Sequence, residues 1–223
     1  MIVAIDGPAA SGKSTVARML AERLGFAYLD TGAMYRAVAV EALRRGIALD
    51  DSEALGALAR SIGIAFEHEG GSALPTRVTA DGRDVTAEIR TPEADAAVSP
   101  VSAEPRVREA MVAQQRREAA LEPDTVLEGR DIGSVVLPGA ELKVFLTAAG
   151  HERARRRALD MAARGTPMTE DDVLAKLESR DRYDSTRVSS PLVRAADALS
   201  LDTTCMSVQQ VVDAISAWVE ERR

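Results

Sequence analysis

The order of apolar and polar positions divides the chain into short apolar runs and longer segments with helical spacing. Five runs of three to five mainly apolar residues, each followed by a polar loop, predict strands. Between them, apolar residues recur every three or four positions, which is typical of helices packed on one face. The predicted strands are Ile2 to Ile5, Ala27 to Leu29, Thr125 to Leu127, Leu142 to Leu146 and Ala198 to Leu201, and the helices include Thr31 to Arg45, Arg106 to Leu121, Glu152 to Arg164 and Val208 to Glu221.

Alternation of strands and helices predicts an α/β fold, with a five-stranded parallel sheet flanked by helices on both faces. Ligands of such sheets bind at the carboxyl ends of the strands. A length of 223 residues suits one such domain with an insertion. In the last predicted helix one face is apolar, which indicates packing against the core rather than a partner surface. Its residues are Val208, Val211, Val212, Ile215 and Val219.

One segment, Gly63 to Val85, breaks this alternation. It contains short alternating runs divided by Gly70-Gly71 and by Asp81-Gly82, and Asp-Gly is a strong two-residue hairpin signal. We therefore expect a small antiparallel sheet inserted into the α/β core. A surface hairpin without a functional role is the alternative that this pattern leaves open.

A phosphate-binding loop follows the first strand. The sequence GPAASGKST matches G-x-x-x-x-G-K-[ST] and precedes a segment with helical spacing that ends at Gly25. Backbone N–H groups of such a loop wrap a polyphosphate, its lysine bridges the β- and γ-phosphates, and its serine hydroxyl ligates Mg²⁺. The loop predicts binding of ATP or GTP with Mg²⁺, and its residues are Gly7, Pro8, Ala9, Ala10, Ser11, Gly12, Lys13, Ser14 and Thr15.

Composition limits the classes of ligand and compartment. A net charge of −7 argues against a nucleic-acid surface, because such proteins usually carry a basic face. No apolar run approaches the length of a membrane span or of a signal-peptide core, so we expect no membrane association. The single cysteine, Cys205, cannot form an internal disulfide, which favours the reducing cytoplasm.

Positive charge is concentrated in arginine-bearing clusters near the predicted strand ends. DTGAMYR spans residues 30 to 36, EGRDIGS residues 128 to 134, and SRDRYDSTR residues 179 to 187. Each cluster alone could be an ion-pair network on the surface. Three of them near one predicted cleft favour a second anion site, which could use Thr31 at a helix start, Arg36, Arg130 and Asp131.

A second anion site beside a nucleotide loop points to a small kinase, whose chemistry is positioning and charge neutralisation. The chain lacks the Asn-Lys-x-Asp guanine motif of GTPases and is too short for a motor or transporter. Two alternatives stay open. One is a kinase for a small non-nucleotide alcohol, such as a sugar or a shikimate-like compound, and the other is a nucleotide-binding regulatory module without turnover.

Nearly the whole chain resembles bacterial cytidylate kinases. The resemblance rests on IDGPAASGKST, LDTGAMYRAVA, EGRDIGSVVLP and SRDRYDSTRVSSPLVRAADALSLDTT, together with the segment from Asp84 to Arg116. Glu128 departs from the aspartate that the family often has before GRD. The resemblance implies a P-loop kinase that transfers the γ-phosphoryl group of ATP to CMP or dCMP, as a cytoplasmic monomer.

The resemblance also implies roles for individual residues. It assigns a pyrimidine-nucleotide insertion to about residues 62–105 and a short lid to about residues 151–167, in which Arg153, Arg156 and Arg157 close over the phosphates. It implies catalytic roles for Lys13, Arg130, Arg187 and Arg157, with Ser14 on the metal. The implied acceptor-binding residues are Asp30, Thr31, Arg36, Ser99, Arg108, Arg130, Asp131, Arg180, Asp184 and Arg187, with Ser99, Arg108 and Asp131 at the base.

Overall fold

The computed structural model describes residues 1–68 and 74–223. The predicted turn at Gly70-Gly71 lies outside these ranges. Strands and helices follow one another as β1 (Ile2–Asp6), α1 (Lys13–Leu24), β2 (Ala27–Asp30), α2 (Thr31–Arg44), α3 (Ser52–Ser61), β3 (Ile64–Glu67), β4 (Arg77–Ala80), β5 (Arg83–Asp84), α4 (Pro92–Ala103), α5 (Pro105–Ala119), β6 (Thr125–Gly129), β7 (Leu142–Thr147), α6 (Gly150–Ala163), α7 (Glu170–Thr186), β8 (Leu199–Asp202) and α8 (Val208–Glu220).

The predicted five-stranded parallel sheet is confirmed, and the structure shows its strand order to be β2-β6-β1-β7-β8. The register pairs Asp6 with Gly129 and Asp30 with Glu128, so polar residues from three strands meet at one edge of the sheet. Apolar residues of α2, α3, α4 and α5 pack on one side, and those of α1 and α8 pack on the other. The predicted P-loop kinase architecture, with helices on both faces of a parallel sheet, is confirmed.

The predicted antiparallel insertion is also confirmed. Strands β3, β4 and β5 form a three-stranded antiparallel sheet, in which Ala80 pairs with Arg83 across a two-residue turn. Both turn residues have positive φ, 50° at Asp81 and 77° at Gly82, which is the conformation that a tight hairpin of this type requires. The insertion returns to the core through α4, which packs against α2.

The apolar face of α8 behaves as expected at four of its five positions. Val211, Val212, Ile215 and Val219 are buried against the sheet. Val208 is the exception, because it lies in the first turn of α8, where it is 39% exposed and lines the main cavity. The structure adds helices α3, α4 and α7 to those that the apolar pattern predicts.

No helix within residues 1–68 and 74–223 is both long and apolar enough to cross a membrane.

Candidate active site

The loop between β1 and α1 begins at a position where any residue other than glycine would clash. Gly7 has φ 151°, and a Cβ at this position would lie 2.1 Å from the carbonyl oxygen of Leu146. The loop ends at Gly12, which caps α1 without a side chain, so the first N–H groups of the helix face the cavity. Lys13 is buried and its Nζ donates to the Pro8 carbonyl at 2.7 Å. These groups form a cradle that suits a polyphosphate.

Two buried carboxylates stand beside this loop. Asp6 accepts from the backbone N–H of Ile132 at 2.8 Å and of Gly133 at 2.7 Å, and burial raises its pKa to about 6. The carboxylate of Glu128, at the end of β6, lies close to the Ser14 hydroxyl. Burial and the nearby Asp30 carboxylate raise the pKa of Glu128, while burial and Arg130 lower that of Lys13. Asp6 therefore fixes the loop after β6 relative to the phosphate loop.

Asp30 and Thr31 lie at the start of α2 and line the cavity, but their side chains also hold local structure. The Asp30 carboxylate caps α2 by accepting from the N–H of Ala33 at 2.9 Å. The Thr31 hydroxyl donates to the carbonyl of Glu128 at 2.6 Å, which ties the start of α2 to β6. Both residues are therefore held at the sheet edge where the two predicted ligand sites meet.

Farther along the cavity, Asp184 on α7 lies among arginines of two segments, the loop after β6 and the C-terminal part of α7. Arg130 Nε donates to Asp184 at 3.0 Å, and Arg187 Nη1 lies 3.7 Å from the same carboxylate. The pKa of Arg180 falls to about 10, because its side chain is buried and Arg130 and Arg36 are close. Buried Arg180 Nε and Arg187 Nη2 form no hydrogen bond within the described residues. Positive charge thus exceeds the local carboxylate charge, as a phosphate site requires.

Beyond these arginines, the cavity ends in a buried polar pocket. Arg108 Nη2 forms an ion pair with Asp131, its Nη1 donates to the Ser102 carbonyl at 3.0 Å, and its guanidinium lies 5.2 Å from the Tyr35 ring centre. Ser102 lines the cavity, whereas Ser99, one turn earlier on α4, is not among the lining residues. The pocket therefore offers a flat ring, a carboxylate and a guanidinium to a planar polar ligand.

Arginines of the predicted lid lie on α6 and contact three different segments. Arg153 donates to the Ala9 carbonyl at 3.0 Å and pairs with Asp181. Arg156 Nη2 donates to the Thr203 carbonyl at 2.7 Å. Arg157 is the one of the three that faces the acceptor side, where it pairs with Asp95 of α4. Arg153 and Arg156 thus hold the phosphate loop and the end of β8, while Arg157 reaches across the cavity.

One cavity of about 890 Å³ joins the phosphate loop to the polar pocket of Arg108 and Asp131. Residues 3–221 match the sequence profile of a family described as cytidylate kinase. The chain belongs to the cytidylate kinase family.

Relatives named cytidylate kinase align over nearly the whole chain. The protein of Desulfitobacterium hafniense is 49% identical over 96% of this chain and 90% of its own length. That of Pelotomaculum thermopropionicum is 50% identical over 99% of this chain and 96% of its own length. Among solved structures, an uncharacterized protein from Eubacterium ventriosum aligns with a TM-score of 0.51 at 14% identity, covering 100% of this chain and 99% of that one. The structural likeness shows the fold alone.

The fold of this family member brings nearly all of the predicted site residues to one cavity. Ser99 on the acceptor side, Gly7 and Pro8 of the phosphate loop and Arg153 of the predicted lid are not among the residues that line it. Reasoning from sequence missed residues that hold the site together. Asp6 was signalled only by its position before Gly7 and Asp181 only by its place in the third arginine cluster, while Asp95 and Thr203 carried no local signal. These missed residues are Asp6, Asp95, Asp181 and Thr203.

Proposed function

We propose that this chain transfers the γ-phosphoryl group of ATP to CMP and dCMP, giving CDP and dCDP. The observation that carries the proposal is the continuity of one cavity from the phosphate loop, past an arginine cluster, to the buried Arg108–Asp131 pair. A kinase for a small alcohol would not need the buried polar pocket of Arg108 and Asp131. The sequence relatives named cytidylate kinase support the same substrate class.

The polar pocket suits cytosine better than uracil. Cytosine presents an N4 donor beside N3 and O2 acceptors, so Asp131 can accept from N4 while Arg108 donates to the acceptor edge. Uracil has an acceptor at position 4 and a donor at N3, which would leave buried groups unpaired at about 1–3 kcal/mol each. The Tyr35 ring and the Arg108 guanidinium bound the pocket. The assignment of Ser99 to the base stays a prediction.

The acceptor phosphate fits the arginine cluster. Arg36, Arg130 and Arg187 line the cavity between the two ends, and Arg180 and Asp184 lie beside them. Guanidinium groups bind phosphate oxygens in pairs and remain charged at any physiological pH. A phosphate monoester is already an anionic nucleophile, so the transfer needs alignment and charge neutralisation more than a general base. Lys13, Arg130, Arg157 and Arg187 would supply that charge.

The residues beside the phosphate loop fit Mg²⁺. Within the described residues no group of three or more histidine, cysteine, aspartate or glutamate side chains could hold a metal. Mg²⁺ in kinases is commonly bound by one or two protein oxygens together with substrate phosphates and waters. Ser14, with its hydroxyl beside the Glu128 carboxylate, meets that requirement. When bound, the ion would neutralise charge on the donor phosphates. We expect the protein to act as a cytoplasmic monomer.

The test is ADP release from ATP and Mg²⁺ with CMP, dCMP, UMP and AMP supplied separately, and with cytidine and no acceptor as controls. We expect rapid turnover with CMP and dCMP, slow turnover with UMP and none with cytidine. If none of these nucleotides supports turnover but a sugar or shikimate supplied in their place does, the proposed substrate class is replaced. ATP binding without turnover on any acceptor would favour a regulatory module.

A further inference from the structure

The carboxylate of Asp95 joins three segments that surround the acceptor side of the cavity. Asp95 lies in the first turns of α4, in the insertion, and lines the cavity. One of its oxygens pairs with Arg36 Nη1 on α2, and the other accepts from Arg157 Nη2 on α6 at 2.6 Å. Core, insertion and lid therefore meet at a single side chain.

The two guanidiniums that Asp95 contacts are those that the proposed function needs for phosphate. Arg36 is assigned to the acceptor phosphate and Arg157 to charge neutralisation during transfer. Arg180 adds a third positive charge close to the same carboxylate. Burial raises the pKa of Asp95, but Arg36 and Arg157 lower it by more than burial raises it. The pKa therefore lies below its ordinary value, and the group is ionised at neutral pH. A carboxylate and a phosphate oxygen are alternative acceptors for the same N–H donors.

These contacts are open to exchange. The side chains of Arg36, Asp95 and Arg157 are 18%, 27% and 27% exposed, and all three border the cavity. A phosphate dianion carries more charge and more acceptor oxygens than one carboxylate. It can therefore compete for both guanidiniums, and for the buried Arg180 Nε, which has no hydrogen bond within the described residues.

We propose that Asp95 is a specificity-determining residue that holds Arg36 and Arg157 until the phosphate of the acceptor displaces its carboxylate. The inference rests on the proposed function. The need to displace the Asp95 carboxylate lowers the affinity of the protein for every phosphorylated acceptor, because the acceptor must first separate the existing ion pairs. Displacement also releases Arg157 toward the reacting phosphates only when an acceptor phosphate is in place. Asp95 thus favours transfer to a phosphorylated nucleotide over transfer to water.

A purely positioning role of Asp95 would have the opposite effect on acceptor binding. If Asp95 only positioned Arg36 and Arg157 for the phosphate, removing its charge would loosen both arginines and weaken acceptor binding. The Asp95→Asn variant separates the two roles, because the amide keeps the size of the side chain but loses the negative charge. Glu93→Gln is the matched control, since Glu93 is an exposed residue on the first turn of the same helix and gives the same change in net charge.

The experiment is calorimetric titration of the wild type and both variants with inorganic phosphate, CMP and cytidine in the absence of ATP. We expect Asp95→Asn to bind phosphate and CMP at least about threefold more tightly, with cytidine affinity unchanged within about twofold. ATP hydrolysis without acceptor should rise at least about threefold in the same variant. Glu93→Gln should match the wild type in all assays.

An unchanged or weaker affinity of Asp95→Asn for inorganic phosphate overturns the proposal, as does an equal gain in Glu93→Gln. Failure of the proposed function gives a different result, namely no turnover of CMP by the wild type. The phosphate titration does not require CMP to be the substrate, so it still measures the effect of Asp95. Thermal unfolding verifies that each variant is folded, and Asp95→Ser replaces Asp95→Asn if the latter is not.

Discussion

Two carboxylates, Glu41 and Asp95, lie at the junction of the core and the insertion, and both pair with arginines. They differ in how deeply the carboxylate is buried and in whether it borders the cavity. Glu41 on α2 is 1% exposed and accepts from Arg44, Arg45 and Arg83. Asp95 is partly exposed, contacts two guanidiniums and borders the cavity.

The two sites differ in how many hydrogen bonds the carboxylate accepts and in whether a ligand in the cavity can reach the ion pairs. Around Glu41, hydrogen bonds reach both carboxylate oxygens, and Arg83 ties the β4–β5 hairpin to α2. Neither Glu41 nor these arginines line the main cavity, so an acceptor bound there does not reach them. Around Asp95, a competing anion can arrive through the cavity. The same pair of residue types therefore stabilises the fold in one place and is available for exchange with a ligand in the other.

The largest effect should follow from Glu41→Gln, which leaves three guanidiniums around an uncharged group. We expect the free energy of unfolding to fall by about 3 kcal/mol, since breaking a buried ion pair leaves uncompensated charge. Chemical denaturation measures the loss, with Glu22→Gln on the exposed face of α1 as the control. If the comparison is right, kcat/KM for CMP changes less than about threefold. A loss of activity without a loss of stability would contradict it.

Acid should remove the same contribution. The arginine hydrogen bonds outweigh burial and lower the pKa of Glu41 to about 2, well below its ordinary value of 4.5. The stabilisation is therefore present above pH 4.5 and is lost as the pH falls toward 2. Between pH 6 and pH 3 the gap in unfolding free energy between the wild type and Glu41→Gln should narrow by about 2 kcal/mol. A gap that stays constant over this range would show that Glu41 is not strongly paired.

Among the arginines that line the cavity, where a phosphate can bind, Arg130→Ala should lower kcat/KM for CMP by at least about tenfold, near 1.4 kcal/mol of transition-state stabilisation. The same holds for Arg187→Ala. Steady-state kinetics with CMP as the varied substrate measure the loss, and the unfolding midpoint of each variant shows whether folding is affected. Wild-type kinetics in either variant would remove that arginine from the site.

The smallest effect is expected at the base. Asp131→Asn replaces an acceptor by a group that can also donate, so the ratio of kcat/KM for CMP to that for UMP should fall by about fivefold to tenfold, near 1 kcal/mol. Competition assays with both nucleotides measure the ratio directly. Because Asp131 also pairs with buried Arg108, stability is measured in parallel. An unchanged ratio would reject the role of Asp131 in reading the base.

The sequence determined the features that depend on neighbouring residues. The phosphate loop, its helix and the Asp81-Gly82 hairpin are specified within a few positions, because backbone sterics and hydrogen bonding act locally. The five strands were also predictable, since buried parallel strands are short apolar runs that end in polar loops. The arginines near the strand ends could also be identified, because they lie in the polar loops that follow these apolar runs.

Tertiary structure alone decided which side chains meet. Asp95 contacts Arg36, 59 positions away, and Arg157, 62 positions away, and no local pattern encodes such a meeting. Asp6 reaches the loop after β6 only because β1 and β6 are neighbours in the sheet. The rotation of α4 likewise places Ser102, not Ser99, at the cavity wall. Chemistry-bearing residues can be read from sequence, but their pairing depends on packing between segments that are far apart along the chain.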